Sequence, residues 1–552
     1  MLEGCTPFPE AFAERYRRQG YWLGLTLGQG LDKAVVEFAE REALSHGAER
    51  YTYAELRDTV DRLAYQLAGL GLAPRDRVVM QLPNIPEFVF VFYALQKIGV
   101  IPVMALRPHR HNEIRHFLSH SGAVGYIGPD AIGDFDYREM AAEMQAENAN
   151  LEHVIVAGEA GPGQISIKEL LDRPVGDDVA ELLTARQPDP GEVALMLLSG
   201  GTTALPKLIP RTHEDYFCYL RLCCSRAEIS SRSVYLALLP MGHNFPLGSP
   251  GLLGTLWTGG RMVLAPDLEP ETFFSLIESE GVTITAVTPP LVSGWLRSEA
   301  REKYDLRSFE VLQCGGARLL PELRRQVREL LGCFYQEAYG TAEGLGHLVP
   351  FGAAEEQVLE SSGLPLAADD EIRVVDDEGN EVPEGQSGEL LGRGPYTIHG
   401  YYNNAEANAA AFTAEGFYRM GDVVKRLGAY VYTEGRKKDL INRGGEKISC
   451  DEIEDLILDN PKIENVVLVA MPDEVYGEKA CAFVTLHAGQ DLDLAELVEF
   501  LMTKQIAKFK LPERLEVVDS YPMSPVGKIL RNVLRDRIAD KLAAEGSGDA
   551  GA

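Results

Sequence analysis

Ten consecutive residues, Leu198-Ser199-Gly200-Gly201-Thr202-Thr203-Ala204-Leu205-Pro206-Lys207, carry the groups that hold a phosphate chain. Glycine lets a backbone come close to a ligand, and successive N–H groups can form a concave nest for an anion. Three hydroxyls and one ammonium add donors. The chemistry suits a triphosphate. The order does not fit G-x-x-x-x-G-K-[ST], so this is not a Walker A loop. Taken alone, the stretch also reads as a polar surface loop. Two other residues are equally ambiguous in isolation. Asp422 follows Gly421 as a turn aspartate does, and Lys528 could be an ordinary solvated charge.

The elements that must position these groups alternate. Strand-like runs at Arg77–Met80, Val154–Val156, Met262–Leu264 and Thr283–Val287 are interleaved with helical stretches at Tyr53–Leu70 and Ile85–Ile98. An apolar run, Val193–Leu198, reads as a buried strand leading into the glycine-rich loop. Such alternation predicts an α/β fold, with a large N-terminal domain of mixed or parallel sheets layered with helices. Near residue 437 the pattern changes. Strands at Val466–Val469 and Ala482–Leu486, with helices from Asp451 and Asp493, predict a small α+β domain. The expected domains are therefore 1–436 and 437–542. A small, polar tail at 543–552 is expected to be disordered.

Composition narrows the class. The chain has 552 residues and a net charge of −30, which argues against a general nucleic-acid binder. A triphosphate ligand or an acidic partner must then dock on local basic patches. The longest apolar run near the N-terminus, Phe88–Leu95, is far below the roughly 20 residues that span a bilayer. No signal peptide is evident. The eight cysteines form no C-x-x-C pair, so neither a zinc site nor a disulfide framework is indicated. The expectation is a cytoplasmic protein that binds neither nucleic acid nor membrane.

Six motifs stand in order along residues 198–529. The glycine-rich loop resembles the phosphate-binding signature of the adenylate-forming superfamily, and Lys207-Leu208-Ile209-Pro210-Arg211-Thr212-His213 resembles its aryl-acid branch. Ala204 replaces the usual glycine. Gly315-Gly316-Ala317 looks like the segment lining the adenine. Tyr339-Gly340-Thr341-Ala342-Glu343 resembles the motif whose ring lies on the adenine and whose Thr341 and Glu343 serve phosphate and Mg²⁺, a hard ion suited to a carboxylate. Tyr418-Arg419-Met420-Gly421-Asp422 resembles the motif whose aspartate accepts the ribose hydroxyls, with Met420 for threonine. Gly435-Arg436-Lys437-Lys438-Asp439 matches the hinge, with Arg436 near the ribose and Lys438 as pivot. Pro525-Val526-Gly527-Lys528-Ile529 resembles the loop whose lysine reaches the carboxylate and the α-phosphate. Ser199, Gly200, Gly201, Thr202, Thr203, Lys207 and Gly340 complete the implied ATP site.

Met241-Gly242-His243-Asn244-Phe245-Pro246-Leu247-Gly248-Ser249-Pro250-Gly251 resembles the acid-binding motif of 2,3-dihydroxybenzoate– and salicylate–AMP ligases. The resemblance assigns Asn244 to the substituent ortho to the carboxylate. An amide both donates and accepts, so hydroxyl, amine and ring nitrogen are all compatible. His243 is placed near the carboxylate and the thiol entry, although His243-Asn244 could instead cap a helix. Gly248 and Gly346 stand where larger residues are expected, and Phe245 replaces tyrosine. Either the pocket is enlarged, or other side chains refill it. The first option predicts an acid larger than salicylate, 3-hydroxyquinaldate-like or methylated 3-hydroxyanthranilate-like.

Together these features imply ATP- and Mg²⁺-dependent activation of an aromatic carboxylic acid. The acyl group would pass to the phosphopantetheine of an aryl carrier protein supplied in trans, as in nonribosomal peptide or siderophore assembly. A coenzyme A ligase and a 2,3-dihydroxybenzoate– or salicylate–AMP ligase are the alternatives.

Overall fold

A computed structural model describes residues 1–199, 206–316, 319, 321–376, 378–436, 440–522 and 531–548. Two extended sheets dominate the larger part. In the seven-stranded sheet, Val193–Leu198 lies between Leu208–Thr212, antiparallel, and Ile101–Met104, parallel. Five of its six residues are buried. Strands covered on both faces read as unbroken apolar runs, which is why this one was legible. The nine-stranded sheet places Phe334–Thr341, Val311–Gly315, Ile284–Val287 and Val234–Ala237 side by side in parallel. A four-stranded antiparallel sheet follows, ending in Tyr418–Leu427 and Tyr430–Arg436.

Helix starts follow local chemistry. Thr52 and Glu55 form a capping box before Tyr53–Gly69, and Thr212 and Asp215 form another before His213–Arg226. Pro86 opens Pro86–Lys97, where its missing N–H has no helical acceptor to lose.

The smaller C-terminal part is a five-stranded sheet with helices, in which Ile463–Asp473 pairs along Gly477–Leu486. Its helices Cys450–Leu458 and Leu494–Thr503 match the expected starts, the second capped by Asp493. The tail departs from expectation. The last helix runs from Arg531 to Gly548, so 543–548 is helical. Ala543, Ala544 and Glu545 are good helix formers, and both carboxylate oxygens of Glu545 accept from Arg514, at 2.7 and 2.8 Å.

Among the described residues, no helix is long and apolar enough to cross a membrane.

Candidate active site

Several of the described candidate residues lie at the carboxyl ends of parallel strands, where α/β sheets open a crevice. Gly315–Gly316 ends Val311–Gly315, Thr288 follows Ile284–Val287, and the loop from Met241 follows Val234–Ala237. Asn84 holds that loop in place. Its amide donates to Leu239 O at 2.9 Å, and its carbonyl accepts from Met241 N at 2.9 Å.

The base of the glycine-rich loop is closed by two bonds: Ser199 N donates to Lys207 O at 3.0 Å, and Lys207 N to Ser199 Oγ at 3.2 Å. The Lys207 ammonium lies 4.4 Å from the centre of the Tyr401 ring. Tyr401 donates its hydroxyl to Glu343 Oε1 at 2.9 Å. Burial, reinforced by the Glu343 carboxylate, pushes the Tyr401 phenol well above its ordinary pKa. Lys207 and Glu343, distant in sequence, thus flank one tyrosine. A buried carboxylate, here beside Tyr401 and Tyr418, is the hard oxygen donor that suits Mg²⁺, which keeps waters and phosphate oxygens as its other ligands. Among the described residues, no group of three or more His, Cys, Asp and Glu could hold a metal ion.

Tyr339 and Asp422 also meet. The Tyr339 hydroxyl donates to Asp422 Oδ2 at 2.9 Å, and Asp422 is buried. Gly421, at φ 74°, turns the strand there. Asp422 stands opposite Arg436 in the antiparallel register, which brings the Arg436 backbone to the same place; its side chain lies outside the described residues. Thr341 donates its hydroxyl to Gly344 O at 3.1 Å, closing the turn that carries Glu343. Gly200, Gly201, Thr202, Thr203, Ala317, Lys438 and Lys528 also lie outside the described residues.

In the acid-binding segment, His243 is exposed and caps the short helix Asn244–Gly248, its Nδ1 accepting from Phe245 N at 3.3 Å. Asn244 does something different. Its Oδ1 accepts from the Tyr216 hydroxyl at 2.9 Å, and its Nδ2 faces the Tyr219 hydroxyl at 3.4 Å. Tyr219 in turn bonds Ser249 Oγ at 2.5 Å. The ring of Phe245 lies over Gly315, where a Cβ would come 3.2 Å from the ring. Phe245 thus joins the segment after Val234–Ala237 to the end of Val311–Gly315.

At the two glycines the structure matches the refilled alternative. A Cβ on Gly248 would fall 2.7 Å from the Tyr216 hydroxyl. One on Gly346 would fall 2.8 Å from Leu366 Cδ1 and 2.9 Å from Tyr219 Cε2. The space left by the two glycines is filled by Tyr216, Tyr219 and Leu366, so the glycine pair gives no reason to expect a bicyclic acid.

Several supporting residues were not anticipated. Tyr216 and Tyr219 are three apart on the helix His213–Arg226 and so share a face, but nothing in their local sequence shows what that face meets. Arg211 is fully buried. It donates to Asp215 Oδ1 at 2.7 Å, Ala342 O at 2.8 Å and Tyr396 O at 2.9 Å, tying the strand after the loop to the Glu343 motif. From the smaller domain, Asn442 Nδ2 donates to Gly316 O at 2.6 Å, and Gly445 packs on Gly316.

Comparison with known proteins adds three findings. Residues 31–402 match the family model described as AMP-binding enzyme, and residues 452–528 match AMP-binding enzyme C-terminal domain. The chain is 44% identical over 545 residues to a 2,3-dihydroxybenzoate-AMP ligase of Bacillus subtilis (strain 168), covering 99% of both chains. It is 43% identical over 543 residues to a salicylyl-CoA synthase / salicylate adenylyltransferase of a Streptomyces species, covering 98% of both. Among solved structures, the apo structure of MbtA from Mycobacterium smegmatis aligns with a TM-score of 0.75 at 39% identity, over 97% of this chain and 98% of that one.

Proposed function

Since the chain belongs to the AMP-binding enzyme family, and to its aryl-acid-adenylating branch, we propose that it joins an aromatic carboxylic acid to AMP and then passes the acyl group to a thiol. The observation that supports this reading is the Phe245 ring against Gly315, which sets the segment read as acid-binding beside the segment read as lining the adenine.

In the first step a carboxylate oxygen of the acid attacks the α-phosphorus of ATP. The bond to the bridging oxygen breaks and pyrophosphate leaves. Tyr339 packs beside the adenine, and Asp422, already an acceptor for Tyr339, takes the ribose hydroxyls. Lys207 and the donors of the glycine-rich loop would hold the phosphates, and Lys528, by the motif resemblance, would serve the carboxylate and the α-phosphate. Charge accumulates on phosphate oxygens, so fixed donors aimed at them lower the barrier. Glu343 would hold Mg²⁺, which when bound neutralises part of that phosphate charge. In the second step a thiolate attacks the acyl carbon of the mixed anhydride and AMP leaves. The small domain turns about Lys438 between the steps, withdrawing Lys528.

For the acid we favour a monocyclic ortho-hydroxy acid of salicylate or 2,3-dihydroxybenzoate size, in keeping with the filled space around Gly248 and Gly346. For the thiol we favour the phosphopantetheine of a separate aryl carrier protein, in nonribosomal peptide or siderophore-type assembly. Coenzyme A is the second reading, favoured by the name of the Streptomyces relative. The enzyme, ATP, Mg²⁺ and salicylate are incubated with either a phosphopantetheinylated aryl carrier or coenzyme A, and thioesters are read by mass spectrometry. Faster loading of the carrier supports the first reading, and faster acylation of coenzyme A supports the second. Release of no AMP with either thiol contradicts the adenylation mechanism.

A further inference from the structure

The Asn244 amide sits in a fixed hydrogen-bond frame. Tyr216 is fully buried, and burial pushes its phenol well above its ordinary pKa, so it is a neutral O–H. Its proton goes to Asn244 Oδ1 at 2.9 Å. Were the amide reversed, Tyr216 would accept instead, and its own proton would have no other acceptor among the described residues. A buried donor left without a partner costs about 1–3 kcal/mol. On the other side, one Nδ2 hydrogen faces the Tyr219 hydroxyl at 3.4 Å. Tyr219 remains able to accept it, because its own proton can go to Ser249 Oγ at 2.5 Å while Ser249 donates to Asn244 O at 3.4 Å. The second Nδ2 hydrogen has no protein acceptor among the described residues, and Asn244 retains 8% exposure.

We infer that Tyr216 is a positioning residue that locks Asn244 with an N–H, not its carbonyl, toward the acid, with Tyr219 accepting the other N–H, so that the enzyme selects an ortho substituent that accepts a hydrogen bond. This rests on the proposed function, in which Asn244 meets the ortho position. It narrows the expectation that an amide there would tolerate hydroxyl, amine and ring nitrogen alike. An ortho hydroxyl turns its proton to the neighbouring carboxylate and offers lone pairs outward, where an N–H can reach them. A ring nitrogen offers a lone pair in the same plane. An ortho amine also gives one N–H to the carboxylate but points its second N–H outward, and two donors then face each other. Gly248 belongs to the same device, since a Cβ there would collide with the Tyr216 hydroxyl.

The test is acid-dependent ATP–pyrophosphate exchange with salicylate, picolinate, anthranilate and benzoate, for the native enzyme and for Tyr216→Phe and Tyr219→Phe. The native enzyme should favour salicylate over anthranilate by about 10-fold or more in kcat/KM, the scale of one mismatched buried hydrogen bond. Picolinate should exceed benzoate. In Tyr216→Phe the amide is free to reverse, so the salicylate-to-anthranilate ratio should fall by about 10-fold, with anthranilate gaining in absolute rate. A merely structural tyrosine would lower both acids together and leave the ratio unchanged. An unchanged ratio in Tyr216→Phe, or a native enzyme that takes anthranilate as well as salicylate, overturns the lock. The native measurement decides even if the variants do not fold. Exchange with none of the four acids and none with 2,3-dihydroxybenzoate overturns the proposed function itself, and the lock with it.

Discussion

Asp422 carries the nucleotide reading at the scale of single residues. It is buried, turned inward by Gly421, and already accepts from Tyr339 at 2.9 Å. A ribose hydroxyl pair would use the same carboxylate as a charge-assisted acceptor. Asp422→Ala should therefore raise the KM for ATP by about 10-fold or more, with the KM for the acid little changed. Steady-state kinetics with each substrate varied in turn measures this, and an unaltered ATP KM removes Asp422 from the ribose. Single residues were also where the sequence was most and least legible. Asn244, Glu343 and Asp422 could be located because each sits inside a motif of fixed spacing. Tyr216 and Tyr219 could not, because their role comes from a contact with a segment 28 and 25 residues further along the chain. The glycines at 248 and 346 were visible as missing side chains, but a sequence does not show which neighbour fills a gap. Dense packing favours the refilled alternative, and that is what stands here.

At the scale of elements, the apolar runs at Arg77–Met80 and Val193–Leu198 announced their strands because both faces are covered, and Thr52 and Thr212 announced their helices through capping boxes. The connection between Leu366 and Tyr396 was not legible, since its partners lie far off in sequence. It carries a half-buried acid, Asp370, which accepts from Ala367 N at 2.9 Å and from the Tyr396 hydroxyl. Burial raises the Asp370 carboxyl to about 7. Its folded value therefore lies above the unfolded one, near 4. The stability it contributes is fully present below about pH 4 and is lost as pH rises through about 7. Asp370→Asn removes this titration while keeping the shape. Relative to the native protein, its Tm should rise between pH 4 and 7 by roughly a few degrees and then level off. Thermal unfolding at pH 5, 6, 7 and 8 measures the difference; a constant offset would mean that Asp370 is ionised throughout.

For the whole molecule, the relation between the large and small domains matters most. Lys510 of the small domain reaches Glu113 Oε1 of the large domain at 3.3 Å, and both are buried. The same arrangement sets Asn442 and Gly445 against Gly316. Removing one partner of a buried ion pair is costly because the other charge is left behind, by about 3–5 kcal/mol. Lys510→Met should therefore weaken this orientation specifically. Acyl transfer from a supplied aryl-adenylate should then fall by about 10-fold or more, while ATP–pyrophosphate exchange stays within a few-fold. Equal loss in both half-reactions would show that the pair serves the fold as a whole.

Aryl-acid adenylation by a compact site is tested most directly by ATP–pyrophosphate exchange with the native enzyme across acids of increasing size: benzoate, salicylate, 2,3-dihydroxybenzoate, and the bicyclic 3-hydroxyquinaldate. With Tyr216, Tyr219 and Leu366 filling the space beside Gly248 and Gly346, exchange should depend strictly on added acid and be fastest with a monocyclic ortho-hydroxy acid. Fastest exchange with 3-hydroxyquinaldate would contradict the filled pocket, and exchange with no aromatic acid would contradict aryl-acid adenylation altogether.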